Sequence, residues 1–354
     1  MQRHESLGGA EFAPEIRYLN SASSGLLPLR AVTAVRAALD ESLSYGSMGR
    51  DYFGPSAEAR AAFARLLGVP ADRVAIGSSV AVQSAFLAGT LPPGSEVLAP
   101  EGDFSSLVTP FAARPGITLR TVPLDELAAA VRPGTTLVAF SVVQSRDGRI
   151  ADMDAVRDAA RAVGARTYLD LTQAAGWLPM RVTDFDYAAC GGYKWLLCPR
   201  GTAFMVFGGE HAEPWPDALH AGWAAGEDPG ASCYGPVTEL PATARRFDEA
   251  HANYSYAGAA QSLGLLGEIG VPAVHAHNTA LAARYREGLL ARGITPCPAP
   301  GSAIVSAPGI AGAADRLADA GVQVSVRDGL LRAAFHLYNS ADDVDLLLDL
   351  LGSD

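Results

Sequence analysis

The 354-residue chain carries 38 acidic and 27 basic side chains, a formal net charge of −11, and 49% of its residues are hydrophobic. This composition is typical of a soluble globular protein whose core is large enough for two domains, or for one large α/β domain with an appendage. The negative charge and the lack of any Lys/Arg-rich stretch argue against a nucleic-acid partner, because phosphate binding needs clustered basic residues.

Targeting segments are not predicted. The first 14 residues carry charges and no apolar core, unlike a signal peptide, and no run approaches the roughly 18 apolar residues that cross a bilayer. The cysteines at 190, 198, 233 and 297 form no Cys-x-x-Cys pair and the histidines show no metal-ligand spacing. We therefore expect a cytoplasmic protein with neither disulfides, nor a metal site, nor a membrane partner.

Strand-like and helix-like segments alternate from about residue 70 to residue 210. Strands are predicted at 74–77, 96–99, 118–122, 136–143, 167–171, 185–190 and 201–207, and helices at 79–91 and 152–163. This alternation predicts an α/β fold with a mainly parallel sheet between helices, whose ligand lies at the carboxyl ends of the strands.

The remainder of the chain is organised differently. The stretch 208–241 is rich in Gly, Pro and Trp without periodicity and predicts a long functional loop. A helical pattern over 257–292, strand patterns over 322–326 and 330–335, and a final helix over 341–351 predict a small α+β segment. Asn339 and Ser340 precede two aspartates and predict the N-cap of that last helix.

The most informative motif centres on a lysine. Asp170 closes an apolar strand, Gln173 follows on the turn that leaves it, and Lys194 comes 24 residues after the aspartate within Gly-Tyr-Lys-Trp. A lysine beside apolar residues is usually a surface side chain with a packed stem. The linked acid, amide and lysine instead indicate a pyridoxal 5′-phosphate (PLP) site. There the amine forms a Schiff base with the cofactor, the carboxylate keeps the pyridine nitrogen protonated, and the amide donates to the 3′-oxygen.

Three other positions have two interpretations each. Ser78 and Ser79 lie between a strand and a helix, where they would bind a phosphate or simply cap the helix. Phe104 follows the next strand and would stack on the cofactor ring or pack in the core. Arg332 lies inside a buried-looking strand and needs a carboxylate partner, either a protein acid or the α-carboxylate of a substrate.

Two turns hold further polar residues. Gln144 and Ser145 follow the apolar run 136–143 in a polar turn and are candidate site residues, Ser145 for the substrate. Arg327, in a turn with Asp328 and Gly329, is interpreted as structural.

From Tyr18–Gly25 to Arg332 and the following Tyr338-Asn339, the chain resembles the class V aminotransferase family of fold-type I PLP enzymes. This family includes cysteine desulfurases, kynureninases, isopenicillin N epimerase-like proteins and carbon–sulfur lyases. The resemblance implies an N-terminal arm over 1–17, a large PLP-binding α/β domain over 18–245 and a small α+β domain over 246–354. It also implies an obligate homodimer with the site at the subunit interface.

Roles carry over where the motifs match. The resemblance implies that Lys194 holds PLP, Asp170 contacts the pyridine nitrogen and Gln173 the 3′-oxygen. The remaining implied cofactor contacts are Ser78, Ser79 and Tyr193 at the phosphate, Phe104 on the ring and His251 reaching the phosphate of the neighbouring subunit. For the amino-acid substrate they are Arg332 at the carboxylate, with Ser145 and Asn20 nearby.

Two departures bear on the reaction. Desulfurases carry a catalytic cysteine shortly before the strand of Arg332, whereas residues 326–330 form a tight turn without one. Members that transaminate typically have serine-rich residues after the aspartate, whereas this chain has Gln-Ala-Ala-Gly. We therefore predict a PLP enzyme acting on an α-amino acid by β-elimination, with C–S cleavage as one form. An aminotransferase and an amino-acid epimerase are the alternatives. A non-enzymatic binding module would have lost the lysine or the aspartate.

Overall fold

A computed structural model describes residues 6–46, 48–208 and 215–352. In this part of the chain the helices are α1 Leu29–Tyr45, α2 Gly54–Leu67, α3 Val80–Thr90, α4 Ser105–Ala113, α5 Met153–Val163, α6 Asn253–Ile269, α7 Val271–Ala291, α8 Ala314–Asp319 and α9 Ala341–Leu351. Short 3-10 helices span Gly9–Glu11, Ala71–Arg73, Leu124–Glu126, Trp223–Ala225, Ala244–Phe247 and Ala311–Ala313.

The strands are β1 Arg17–Tyr18, β2 Val74–Gly77, β3 Glu96–Pro100, β4 Thr118–Val122, β5 Thr135–Ser141, β6 Arg166–Asp170, β7 Tyr187–Gly191, β8 Ala203–Phe207, β9 Ile304–Ala307, β10 Val322–Gln323, β11 Ser325–Arg327 and β12 Leu330–Ala334. A seven-stranded sheet has the order β2-β8-β7-β6-β5-β3-β4. Its neighbours from β4 to β7 run parallel, which confirms the predicted α/β class.

One strand of this sheet departs from the parallel pattern. Strand β8 runs antiparallel to both β7 and β2. Only residues 192–202 join β7 to β8, and a parallel return needs a crossover of a dozen or more residues, usually with a helix. The short connection therefore turns the chain straight back, and it is this turn that carries Lys194.

The sheet separates two apolar layers. On one side α3 and α4 pack through Phe86, Leu107 and Phe111 in a cluster that also holds Tyr168 and Phe207. On the other side α2, α5 and α6 contribute to a larger cluster with the opposite faces of the strands. Strands covered on both faces read as continuous apolar runs, which is why β5 and β6 were recognisable in the sequence.

The C-terminal segment is built around a three-stranded antiparallel sheet of order β11-β12-β9. The helical pattern predicted over 257–292 corresponds to two helices, α6 and α7, and α6 already begins at Asn253. The helices are separate because Gly270 between them adopts φ 85°. The strand predicted over 322–326 is also divided: β10 pairs with β1, whereas β11 pairs with β12. Periodicity cannot reveal a change of sheet partner within a short apolar run.

Contacts along the chain connect the segments closely. Ser340 caps α9 as predicted, and its N–H donates to the Asp343 carboxylate at 3.1 Å. Helix α6 packs on α1 and α2, and Asp248 pairs with Arg60 at 2.6 Å. The division at residues 17 and 245 stays a prediction. Among the helices of the described residues, none combines the length and apolar character required to span a membrane.

Candidate active site

A cavity of about 210 Å³ opens at the carboxyl ends of the central strands. Asp170 ends β6, Ser141 ends β5, and Ser78 and Ser79 follow β2, so the sheet brings residues distant in sequence to one edge. The lining also includes Phe104, Ser145, Thr172, Gln173, Tyr193, Lys194 and Arg200. The site therefore lies where the strand pattern predicts a ligand.

Lys194 lies in the turn between β7 and β8 and is only 4% exposed. Its Nζ atom is 4.9 Å from the centroid of the Phe104 ring. Burial lowers the pKa of its amine to about 8, although the Asp170 carboxylate acts in the opposite direction. Lys194 is also the only lysine in the sequence, the other 26 of 27 basic residues being arginine. The single primary amine among the side chains is thus held in the cavity with a large neutral fraction near pH 8.

Asp170 is buried in the lining of the same cavity. Burial raises the pKa of its carboxyl, while the Thr172 N–H, which donates to Oδ1 at 2.8 Å, opposes that rise. A buried carboxylate is costly unless a cation or hydrogen-bond donor faces it. A protonated pyridine nitrogen supplies such a donor, so this residue fits the predicted ring contact.

Gln173 is oriented by a tryptophan. The Trp195 indole N–H donates to Oε1 of Gln173 at 2.7 Å. Because an indole nitrogen only donates, the amide cannot be reversed, and its NH₂ group must face the other way. There Nε2 donates to the Ala22 carbonyl and to Ser145 Oγ, each at 2.9 Å. The amide donor is therefore directed to the cavity side of the turn.

Phe104 stands in the cavity mouth rather than in the core. Its side chain is 41% exposed, which rules out the core interpretation. The preceding Asp103 is buried and accepts from the Ser141 N–H at 2.9 Å and from the Ser141 hydroxyl at 2.5 Å. This pair of hydrogen bonds fixes the start of α4 against the end of β5 and so positions the ring beside Lys194.

The predicted phosphate end combines donors with one obstructing acid. Ser79 caps α3, since its Oγ accepts from the Val82 N–H at 3.3 Å, and the helix N-terminus faces the cavity. Arg200, which no sequence motif marks, lies over the Tyr193 ring at 4.2 Å and lines the same cavity. Ser78 donates to Glu249 at 2.7 Å, so that carboxylate must withdraw before an anion takes the hydroxyl. With that movement the donor set fits a phosphate.

Arg332 is almost completely buried, with 1% exposure. Its guanidinium donates to Ser23 Oγ at 2.8 Å, Ser145 Oγ at 3.1 Å and Ser325 Oγ at 3.2 Å, and also to the Ser145 carbonyl. Burial lowers its pKa to about 10. Within the described residues no salt bridge joins it to an acid, and its binding of a substrate carboxylate stays a prediction.

Asn20 and His251 do not line the cavity. Asn20 forms a bridge with Ala334, and its Oδ1 is buried without a hydrogen-bond partner in the described chain. His251 is buried against the Tyr52 ring at 4.8 Å, and its Nδ1 finds no partner among the described atoms either. The contact of His251 with a neighbouring subunit stays a prediction.

Comparisons with known proteins agree with this architecture. A solved structure of the cystine C–S lyase C-DES in complex with its reaction product cysteine persulfide has a TM-score of 0.86, at 21% identity over 96% of this chain and 98% of its own. This likeness shows the fold, that of the fold-type I PLP-dependent enzymes.

Sequence comparisons specify the family. The profile of the aminotransferase class-V family matches residues 17–303, and the chain belongs to that family. The uncharacterized aminotransferase YcbU of Bacillus subtilis is 26% identical over 94% of this chain and 92% of its own length. Isopenicillin N epimerase of Streptomyces clavuligerus is 32% identical over 57% and 56%. Members of this family are PLP-dependent enzymes, and the predicted cofactor, pyridoxal 5′-phosphate, is confirmed.

Proposed function

We propose that this protein is a PLP-dependent lyase that eliminates a β-substituent from an α-amino acid, with a thiolate as the preferred leaving group. The observation that carries the proposal is the presence of one suitable base at the cavity. Lys194 has a pKa of about 8, so its amine can accept and return a proton near neutral pH. We infer that no other group of the described lining is available as a base at Cα.

Other groups of the cavity are poor candidates for the base that takes the Cα proton. Asp170 serves the pyridine nitrogen, burial raises the pKa of Tyr193, and the described lining contains no histidine. Epimerisation by two bases needs a second group on the opposite face of the substrate. Elimination of a thiolate needs only one, because a thiolate leaves without being protonated first. The single base therefore supports elimination over a two-base epimerase.

Each residue of the site has a proposed contact with the cofactor or the substrate. Asp170 would contact the pyridine nitrogen, Gln173 the 3′-oxygen, Phe104 the ring face, and Ser78, Ser79 and Arg200 the phosphate. When bound, PLP supplies an electron sink for the electron pair left at Cα. Lys194 would take the Cα proton, and Arg332 would hold the carboxylate so that this proton faces the amine.

The cysteines argue against a persulfide carried on this chain. Cys190 and Cys198 are buried, Cys233 is exposed and Cys297 is half-buried, and none of them lines the cavity. The turn where desulfurases carry their cysteine holds Asp328 and Gly329 instead. We propose that sulfur leaves on the product. The free thiols accord with the predicted cytoplasmic location.

A homodimer is part of the proposal. Helix α1 exposes Leu43 at 86% and Leu39 at 46%, and the loop after β8 exposes Tyr234 at 94%. Leu39 and Leu43 lie four residues apart on one face of α1, and a second copy of the chain would remove them from water. The segment 246–253 also holds three buried polar atoms without partners among the described residues: Nε of Arg246, Nδ1 of His251 and Oδ1 of Asn253. A second copy of the chain would supply partners for such atoms.

Transamination is the second candidate. It is favoured by the similarity to the Bacillus aminotransferase, which extends over nearly the full length of both chains. Transamination also needs only one base, so the single lysine does not separate it from elimination.

Product analysis separates the candidates. Purified holoprotein is incubated with a panel of amino acids carrying β-thioether, disulfide or unsubstituted side chains, without a 2-oxo acid. Elimination predicts pyruvate and ammonia in equal amounts, together with one thiol or persulfide per turnover. Accumulation of pyridoxamine phosphate with one equivalent of 2-oxo acid would instead establish transamination, and loss of optical activity without either product would establish epimerisation.

A further inference from the structure

Two arginines converge on Ser23, and one of them, Arg332, also donates to Ser145 in the cavity lining. Arg332 donates to Ser23 Oγ at 2.8 Å, and Arg327 donates to the same oxygen at 3.1 Å. The two Nη2 atoms therefore cannot be farther apart than these two hydrogen bonds placed end to end. Two guanidinium groups at this separation repel each other in a partly buried site.

The hairpin geometry explains the convergence. Ser325 pairs with Arg332 across β11 and β12, and Arg327 lies two residues beyond Ser325 on β11. Alternate residues of a strand share a face, so Arg327 is the diagonal neighbour of Arg332. Asp328 and Gly329 have φ of 49° and 75°, the left-handed pair that closes a two-residue hairpin with a tight turn. This turn holds the two arginines in a fixed relation.

No acid of the described chain neutralises this pair. Neither Arg327 nor Arg332 forms a salt bridge within residues 6–46, 48–208 and 215–352, and Asp328 in the turn pairs with Arg146 at 3.0 Å. Arg332 is buried, whereas Arg327 is exposed. Their shared partner is a neutral hydroxyl, which satisfies hydrogen bonds but leaves two positive charges without compensation.

We propose that Arg327 binds a second anionic group of the substrate, so that the amino acid taken by this site carries an acidic group at the far end of its side chain. This inference rests on the proposed function, in which the buried Arg332 holds the α-carboxylate. The exposed Arg327 then meets the distal group. Thus Arg327, interpreted from the sequence as structural, determines specificity.

The test compares isosteric acids and amides. Holoprotein is titrated with L-glutamate against L-glutamine and with L-aspartate against L-asparagine, and dissociation constants come from calorimetry and from the visible absorption of the cofactor. We expect at least one acid to bind about tenfold or more tightly than its amide at low salt. Arg327→Gln should weaken that acid about tenfold or more and its amide less than threefold, whereas Arg327→Lys should keep part of the preference.

Controls separate this inference from its premises. Arg181→Gln removes a comparably exposed charge elsewhere and should leave the acid preference unchanged. No preference in the wild type, equal weakening of acid and amide in Arg327→Gln, or no binding of any of the four probes to holoprotein would overturn the role of Arg327. If the protein takes up no PLP, the proposed function fails. Calorimetry on the same protein then compares succinate, which has two carboxylates, with propionate, which has one. Tighter binding of succinate would support a site for two anionic groups, and equal affinity for both would overturn it.

Discussion

Lys194 joins three properties in one side chain: it is the only lysine, it is buried, and it lines one cavity with the Phe104 ring and the Asp170 carboxylate. Its uniqueness was visible in the sequence without any structure. A chain that uses arginine at all 26 other basic positions but keeps one lysine in this motif needs a primary amine there, because a guanidinium does not become neutral and nucleophilic near neutral pH.

The lowered pKa of Lys194 predicts the pH dependence of cofactor uptake. Only the neutral amine attacks an aldehyde. With a pKa of about 8, about 9% is neutral at pH 7, against about 0.03% for an ordinary lysine. The uptake rate of apoprotein should rise through pH 8 and then level off. Asp170→Asn removes a charge that raises this pKa, so the midpoint should move to lower pH. A rate still rising at pH 10 would contradict the assignment.

Arg332 makes a prediction about the substrate carboxylate. Removing the guanidinium from a buried guanidinium–carboxylate pair leaves the carboxylate unpaired. The loss in binding free energy is about 2–5 kcal/mol, on the order of 30- to 4,000-fold in affinity. Arg332→Ala should therefore retain the visible spectrum of the holoprotein but lose binding of amino acids. Amines without a carboxylate should be affected far less, and Arg332→Lys should restore little, because a point charge does not replace the planar fork. Equal weakening for an amino acid and its decarboxylated analogue would show that Arg332 acts through folding.

At the scale of elements, Trp195 joins the turn after β7 to Gln173 in the turn after β6, and Trp177 bonds to the same glutamine from within its own turn. The Trp195 indole donates to the side-chain oxygen of Gln173, and the Trp177 indole donates to its backbone carbonyl, each at 2.7 Å. Both rings are fully buried. Only the first hydrogen bond determines which way the amide points, so these two similar side chains have separable effects.

A pair of matched substitutions tests this division. Trp195→Phe should free the Gln173 amide, shift the visible absorption of the holoprotein and weaken cofactor affinity about fivefold, as expected for one hydrogen bond of about 1 kcal/mol. Trp177→Phe also removes one buried indole, but it should leave the visible absorption unchanged and the cofactor affinity within about twofold of the wild type. Identical spectra for both variants would show that Trp195 does not orient the amide.

The elements that could be predicted are those whose pattern is set locally. Strands β2, β3 and β5 to β8 were recognisable because two-sided burial produces nearly uninterrupted apolar runs. Arg200, Glu249 and Ser23 were not identified as site residues, since each lies in a turn or loop that tertiary packing brings to the site. Arg200 lines the cavity, Glu249 accepts from Ser78 and Ser23 accepts from Arg332. The direction of the Gln173 amide and the convergence of Arg327 on Ser23 depend on hydrogen bonds between segments more than 20 residues apart, which no periodicity encodes.

For the whole molecule, the exposed apolar residues predict a stable dimer. The holoprotein should sediment with twice the 36.7 kDa mass of the chain. Leu43→Glu on α1 should shift the equilibrium towards monomer and lower cofactor occupancy. Leu290→Glu on α7, where the leucine is 56% exposed, should leave the mass unchanged. A wild-type monomer with full cofactor occupancy would contradict the interface proposal.

The most direct test of the account is the intact mass of the holoprotein after reduction with borohydride. Reduction makes the lysine–cofactor linkage permanent, and the sequence offers one lysine side chain, so the only competing amine is the N-terminus. We expect one phosphopyridoxyl group per chain, mapped to the peptide of Lys194 and absent from Lys194→Ala. An unlabelled wild type, or a label on the N-terminal peptide that persists in Lys194→Ala, would contradict it.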